Sequence, residues 1–184
     1  MSIDFEILDF IQQNMKSDAG DVIMAFITRL GDAGLIWMAL ALVLVLIPRT
    51  RKAGVMVFMA LVLDALLCNV VAKPLVARVR PYDIRTDIEI LVRRPADFSF
   101  PSGHTAASFA AASALYFARL DWKWIWRAAT ALAVAIAFSR LYLYVHYPTD
   151  VLGGALLGVL CGWLGSAVTS RLYSRGIPRL GKEE

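Results

Sequence analysis

The chain has 184 residues, 59% of them hydrophobic and 18% charged, with a mean hydropathy of +0.61 and a formal net charge of +4. By length it is one domain, residues 1–184, and it is too apolar to be an ordinary soluble one. Its basic residues divide between the two ends of the apolar segments and form no single stripe, which argues against a nucleic-acid partner.

In chain order, the first fifteen residues set Asp, Glu and Gln among Ile, Phe and Leu. They lack the basic start and long apolar middle of a signal peptide. Ile3, Ile7, Phe10 and Ile11 recur near helical spacing, which predicts an amphipathic helix within residues 1–18 lying on a membrane surface. A hydrocarbon core about 30 Å thick needs roughly 20 helical residues. Segments 53–72, 103–120, 124–143 and 150–170 fit that length. Gly34 to Ile47 is shorter, so its helix is expected to start near Asp32 or to run back through Val22. The predicted fold is therefore all-α: a polytopic transmembrane helical bundle of about five spans, preceded by the surface helix. Cys68 and Cys161 lie in apolar stretches and read as reduced packing residues. Gly153, Gly154, Gly158, Gly162 and Gly165 line the last span and predict close helix packing within one chain rather than a dimer seam. The oligomeric state is not legible in the sequence.

Charge placement gives an orientation. The turn Arg49-Thr50-Arg51-Lys52, the connection with Arg119, Lys123 and Arg127, and the tail 171–184 with Arg171, Arg175, Arg179 and Lys182 fall on one side. The positive-inside rule makes that side cytoplasmic, with Trp122, Trp124 and Trp126 as its interfacial belt. The opposite side receives the N-terminus, the loop 74–102 and the turn at 144–149. Three clusters of polar residues emerge there, and they contain both histidines of the chain.

The first cluster is Lys73 with Arg80-Pro81. A lysine supplies a mobile point charge and an arginine a planar fork matching two phosphate oxygens. Seven residues span about 10 Å if the helix continues, which would set both cations on one face. A pair of snorkelling interfacial cations is the bland alternative. On charge alone Arg78, Arg85, Arg93 and Arg94 would serve equally well. The second cluster, Pro101-Ser102-Gly103-His104, opens an Ala-rich run. Ser102 is a good N-cap, Gly103 permits close approach of a ligand, and the free N–H groups of a first turn favour an anion. An ordinary cap followed by an interfacial histidine would look the same. The third cluster is Ser139-Arg140 with His146 and Asp150. An arginine closing one span converges with an imidazole and a carboxylate opening the next, and Asp150 is placed to hold the second ring nitrogen of His146. Here the alternative is a helix cap beside an aromatic belt.

Lys-x6-Arg-Pro, Pro-Ser-Gly-His and Ser-Arg-x5-His-x3-Asp, in this order over residues 73–150, resemble the type 2 phosphatidic acid phosphatase superfamily without a substitution. The resemblance implies a phosphatase with a helical-bundle core that needs no metal or other cofactor. It implies His146 as nucleophile oriented by Asp150 and His104 as general acid. Lys73, Arg80 and Arg140 become a phosphate clamp assisted by Ser102 and Gly103, with a further hydrogen bond from Ser139. Members commonly have six spans, so five here would mean that the first is lost. The implied setting is the bacterial cytoplasmic (inner) membrane, with the site on its extracytoplasmic face. The implied partners are the lipid bilayer and a lipid phosphate or diphosphate substrate. Undecaprenyl diphosphate leads, with phosphatidylglycerophosphate and phosphatidic acid behind it. The competing class is a non-catalytic lipid-binding or transport protein, against which the intact histidines and aspartate argue.

Two other polar positions lie inside the second predicted span. By α-helical phase Asp64 falls roughly opposite Lys73 and reads as a structural hydrogen bond to a neighbouring helix. Asn69 shares the Lys73 face and is placed to orient that lysine.

Overall fold

The computed structural model describes residues 3–175, so Arg179 and Lys182 of the expected cytoplasmic tail lie outside the described residues. Among the described residues every regular element is helical. Helix α1 (Ile3–Asn14) turns Asp4, Leu8 and Ile11 inward and leaves Ile3, Ile7 and Phe10 exposed. Helix α2 (Asp18–Leu30) is capped by Ser17, whose hydroxyl accepts the Gly20 N–H at 3.1 Å. A three-residue 3-10 turn, Asp32–Gly34, joins it to α3 (Leu35–Leu46). Ala33 and Gly34 both take left-handed backbone, at φ 50° and 67°, and the two helices meet with a bend of 41°. Of the two starts the sequence allows for α3, near Asp32 or back through Val22, the turn at Asp32–Gly34 matches the first, and its two consecutive left-handed residues separate α3 from α2.

Helix α4 (Arg51–Asp64) continues into a π-helix over Ala65–Ala72 and a single α-turn, α5 (Lys73–Val76). Ala77, at φ 48°, ends that run, and α6 (Pro81–Ile84) follows. Helices α7 (Gly103–Ala118), α8 (Lys123–Tyr142) and α9 (Pro148–Ser174) complete the bundle. Among the described residues, three stretches are long and apolar enough to cross a membrane: Arg51–Ile84, Lys123–Tyr142 and Pro148–Ser174. The bent α2–α3 pair makes a fourth if counted as one span. Helix α7 has 16 residues, about 24 Å of rise, which is short for a bilayer core.

Helix α7 is the centre of the bundle. Ala106, Ala110, Ala111 and Ala114 are fully buried on it. Small residues there let α9 approach backbone to backbone: a Cβ on Gly154 would stand 2.6 Å from the Ser102 carbonyl oxygen, and one on Gly158 would collide with that of Ala106. Gly165 lies equally close to α4, where a Cβ would meet the Ala60 nitrogen at 2.7 Å. The glycine series of the last span is thus consumed by packing inside one chain. Cys68 and Cys161 are free and buried. The outer face carries Phe26, Leu42, Leu66, Val70, Leu152, Leu156 and Trp163, a surface suited to lipid and not to water.

Candidate active site

Helix ends deliver the functional side chains to one place. Lys73 stands where the π-helix gives way to α5, Gly103 and His104 open α7, Arg140 lies in the last turn of α8, and His146 sits in the turn between α8 and α9. Lys73, Arg80, Gly103, His104, Arg140 and His146 line a single cavity of about 670 Å³. Lys73 and Arg80 do not reach it by helical repeat, because the helix stops at Val76. The left-handed turn at Ala77 and the extended backbone at Arg80 bring the guanidinium in.

Ser102, Ser139 and Asp150 stand behind that lining, each fully buried. Ser102 occupies the N-cap position of α7 without a side-chain cap bond; its hydroxyl accepts from Thr105 at 3.0 Å and its N–H donates to the Asp150 carbonyl at 3.1 Å. The Ser139 hydroxyl donates to the Ile136 carbonyl at 2.6 Å within its own helix.

His146 is 2% exposed. Its Nε2 lies 3.3 Å from an Arg80 guanidinium nitrogen, which has a proton to give, so Nε2 is the acceptor and the ring proton belongs on Nδ1. Nδ1 is 3.5 Å from Asp150 Oδ2, long for a hydrogen bond, and has no other partner among the described residues. Burial pushes the imidazole down to about 3; the Asp150 carboxylate opposes that shift and Arg140 and Arg80 reinforce it. The ring is therefore neutral with a lone pair available, as a nucleophile requires. His104 Nε2 sits 2.9 Å from Asp32 Oδ1 at the cavity rim.

The roof of the cavity is the loop after α6, through Arg93, Arg94, Pro95, Ala96 and Asp97. Asp97 reaches into the cation cluster: Oδ1 accepts from Arg80 at 2.6 Å and Oδ2 pairs with Lys73 Nζ. Against burial, which acts the other way, the Lys73 hydrogen bond and the charges of Lys73 and Arg80 hold this carboxyl at about 2. A carboxylate thus occupies two arms of the expected clamp. The third arm, Arg140, bonds the Thr28 hydroxyl of α2, and its Nε has no partner among the described residues.

Asp64 overturns the expectation drawn from α-helical phase. The eight residues of π-helix wind more slowly, so Asp64, Asn69 and Lys73 all line one wall of a second cavity of about 650 Å³. Asp64 Oδ1 has no hydrogen-bond partner among the described residues, where a structural bond to a neighbouring helix was expected. This cavity shares Lys73, Gly103 and His104 with the first and continues along Leu35, Met38, Leu61 and Val62. Asp97, Asp32, Thr28 and Ser99 were not singled out from the sequence. Each is an ordinary polar residue whose partner is remote in the chain, so no local pattern marks it. Of the four alternative arginines, Arg93 and Arg94 line the site, Arg78 binds Asp150 and Arg85 binds Asp9.

Two histidines and a cation cluster in one cavity at the end of an apolar bundle define an anion site in a membrane protein. The PAP2 superfamily pattern matches residues 52–174, and the chain belongs to that superfamily. It is 31% identical to an undecaprenyl-diphosphatase of Sulfolobus acidocaldarius over 148 residues, which covers 80% of this chain and 70% of that one. It is 35% identical to a lipid A 4'-phosphatase of Bacteroides thetaiotaomicron over 59% of this chain and 50% of the relative. Among solved structures, Aquifex aeolicus LpxE superposes with a TM-score of 0.76 at 26% identity, over 90% of this chain and 95% of its own. A PAP2 type phosphatidylglycerolphosphate phosphatase of Bacillus subtilis superposes with a TM-score of 0.73 at 28% identity, over 97% and 87%. These relatives are phosphatases and diphosphatases acting on phosphate esters and anhydrides.

Proposed function

We propose that the chain is a metal-independent lipid phosphatase that removes a terminal phosphate through a phosphohistidine, with undecaprenyl diphosphate as its substrate. The observation that carries this reading is the shared cavity: a neutral, buried imidazole faces Lys73, Arg80 and Arg140, with a second imidazole at the rim. The three cations and the α7 N-terminus neutralise the charge that spreads over the equatorial oxygens in the transition state. His146 Nε2 attacks phosphorus in line, the bond to the leaving oxygen breaks, and His104 gives that oxygen its proton. Water then attacks the phosphohistidine and releases phosphate. Ser102 and Ser139 stiffen the cradle from behind.

The choice of a prenyl diphosphate is supported by the Sulfolobus relative and by the apolar continuation of the second cavity, which suits a long chain. We read the site as extracytoplasmic in a bacterial cytoplasmic membrane, with five crossings: the bent α2–α3 pair, Arg51–Ile84, the buried α7, α8 and α9. Helix α1 then lies along the outer surface, with Ile3, Ile7 and Phe10 toward lipid.

Phosphate release by purified, detergent-solubilised chain tests the reading. Undecaprenyl diphosphate, phosphatidylglycerophosphate, phosphatidic acid and lysophosphatidic acid are compared in parallel with His104→Ala. The expected result is the highest kcat/KM on the diphosphate and loss of turnover in the variant. No release from any substrate removes the enzyme in favour of a lipid-binding or transport protein; a preference for phosphatidylglycerophosphate replaces the substrate.

A further inference from the structure

Behind His146 the polar contacts do not stop at Asp150. Arg78 places Nη1 2.6 Å from Asp150 Oδ1 and 2.7 Å from the Thr149 hydroxyl, and Nη2 2.7 Å from Asp4 Oδ2. Its guanidinium lies over the Tyr147 ring at 3.8 Å from the centroid. Asp4, on α1, accepts the Thr149 N–H on Oδ1 at 3.1 Å and the Thr149 hydroxyl on Oδ2 at 2.8 Å. Phe5 packs edge-on against Tyr147, with ring centroids 5.4 Å apart. A residue from the start of the chain therefore closes a ring of charge-assisted bonds around the first turn of α9.

We propose that Asp4 and Arg78 are positioning residues for the reaction: together they keep the Asp150 carboxylate ionised and turned so that His146 carries its proton on Nδ1. This rests on the reading of His146 as nucleophile. The Asp150 carboxylate is fully buried, and a buried carboxylate without a partner takes up a proton. A protonated Asp150 would donate to Nδ1 instead of accepting from it. The ring would then hold its proton on Nε2, the atom that must attack, and the nucleophile would be lost. Arg78 prevents this by neutralising Oδ1. Oδ2 is left to the Ser99 hydroxyl at 2.5 Å, the Tyr147 N–H at 2.9 Å and His146 Nδ1. Asp4 fixes the guanidinium from its other side and balances its charge, so the cation does not swing away. Helix α1 becomes a working part of the site instead of a passive float on the membrane.

The test joins kinetics to the ring nitrogens. Asp4→Asn, Asp4→Glu and Arg78→Gln are purified in detergent, and the tautomer of His146 is read at neutral pH from nitrogen NMR shifts. His104→Gln serves only to assign the second imidazole. Loss of the outer partners of a metal-bound histidine costs about 10- to 100-fold in affinity or activity, and the same range is expected for this imidazole. Asp4→Asn is expected to lower kcat about tenfold, and Arg78→Gln about a hundredfold, with KM within about twofold in each. In both, the Nε2–H tautomer grows at the expense of Nδ1–H, and Asp4→Glu restores much of the wild-type state. An unchanged His146 tautomer in folded Asp4→Asn and Arg78→Gln overturns the proposal, whatever happens to kcat or thermal stability. If wild type releases no phosphate from any substrate, the phosphatase reading fails, yet the tautomer measurement still decides whether Asp4 and Arg78 hold the ring.

Discussion

Asp97 is a carboxylate lodged where a phosphate is expected to bind. It takes Arg80 and Lys73 together, so an entering anion has to displace it or share its cations. Asp97→Asn is expected to tighten competitive inhibition by inorganic phosphate roughly tenfold, about 1.4 kcal/mol, read from steady-state inhibition constants. A weaker inhibition would mean that Asp97 helps to hold the anion. His146 makes a second prediction. Its folded-state value is lowered to about 3, so it stays neutral as pH falls from 8 to 5, where an ordinary imidazole would already be mostly protonated. NMR titration of its ring should show no transition across that range; a transition near 6.5 would contradict the buried, neutral nucleophile. The same shift has a stability consequence with a definite sign. Below the ordinary imidazole value the unfolded chain takes up a proton that the native site refuses, so this site's contribution is complete above that value and is lost as pH falls. Residues of the site differed in how far the sequence revealed them. Lys73, Arg80, His104, Arg140 and His146 belong to three short motifs in a fixed order, which mark them in the sequence although a cation at a span end is ordinary by itself. Asp97 is a lone acid after two arginines and Asp4 one of several acids in α1, and only the folded loop and helix give them partners.

Among the elements, the helices were legible from apolar length, and two local features were not. Ala33 and Gly34 take left-handed backbone and bend the α2–α3 pair, which a count of apolar residues does not register. The π-helix at Ala65–Ala72 changes the winding and carries Asp64 round to the Lys73 wall. An argument from 3.6 residues per turn puts that carboxylate on the wrong side. Helix α9 is held against α7 by glycine, and there the packing is tight enough to predict from. Gly158→Val drives a branched side chain into the Ala106 carbonyl, between two backbones that cannot give. It should destabilise the bundle by about 1–3 kcal/mol or more, seen as a lower midpoint of thermal unfolding in detergent. Leu156→Ala, at a position 74% exposed, should leave that midpoint close to wild type. A neutral Gly158→Val would show that α7 and α9 are not in backbone contact.

The whole molecule gathers polar side chains at helix ends and leaves its flanks to lipid. If the site faces outward, Thr86→Cys on the exposed loop after α6 should react with an impermeant maleimide in intact cells, and Lys123→Cys should react only after permeabilisation. The native Cys68 and Cys161 are fully buried and give little background. The reverse pattern would invert the orientation. If this arrangement makes His146 a nucleophile toward phosphorus, a covalent phosphohistidine forms and can be trapped. Purified chain, given substrate labelled in its terminal phosphate in the presence of EDTA, is quenched within a turnover and denatured. An acid-labile, base-stable label is expected on the protein, present in wild type and absent in His146→Ala, whose turnover falls at least about 10³-fold. Full turnover in His146→Ala, with no label on the wild-type chain, would contradict it.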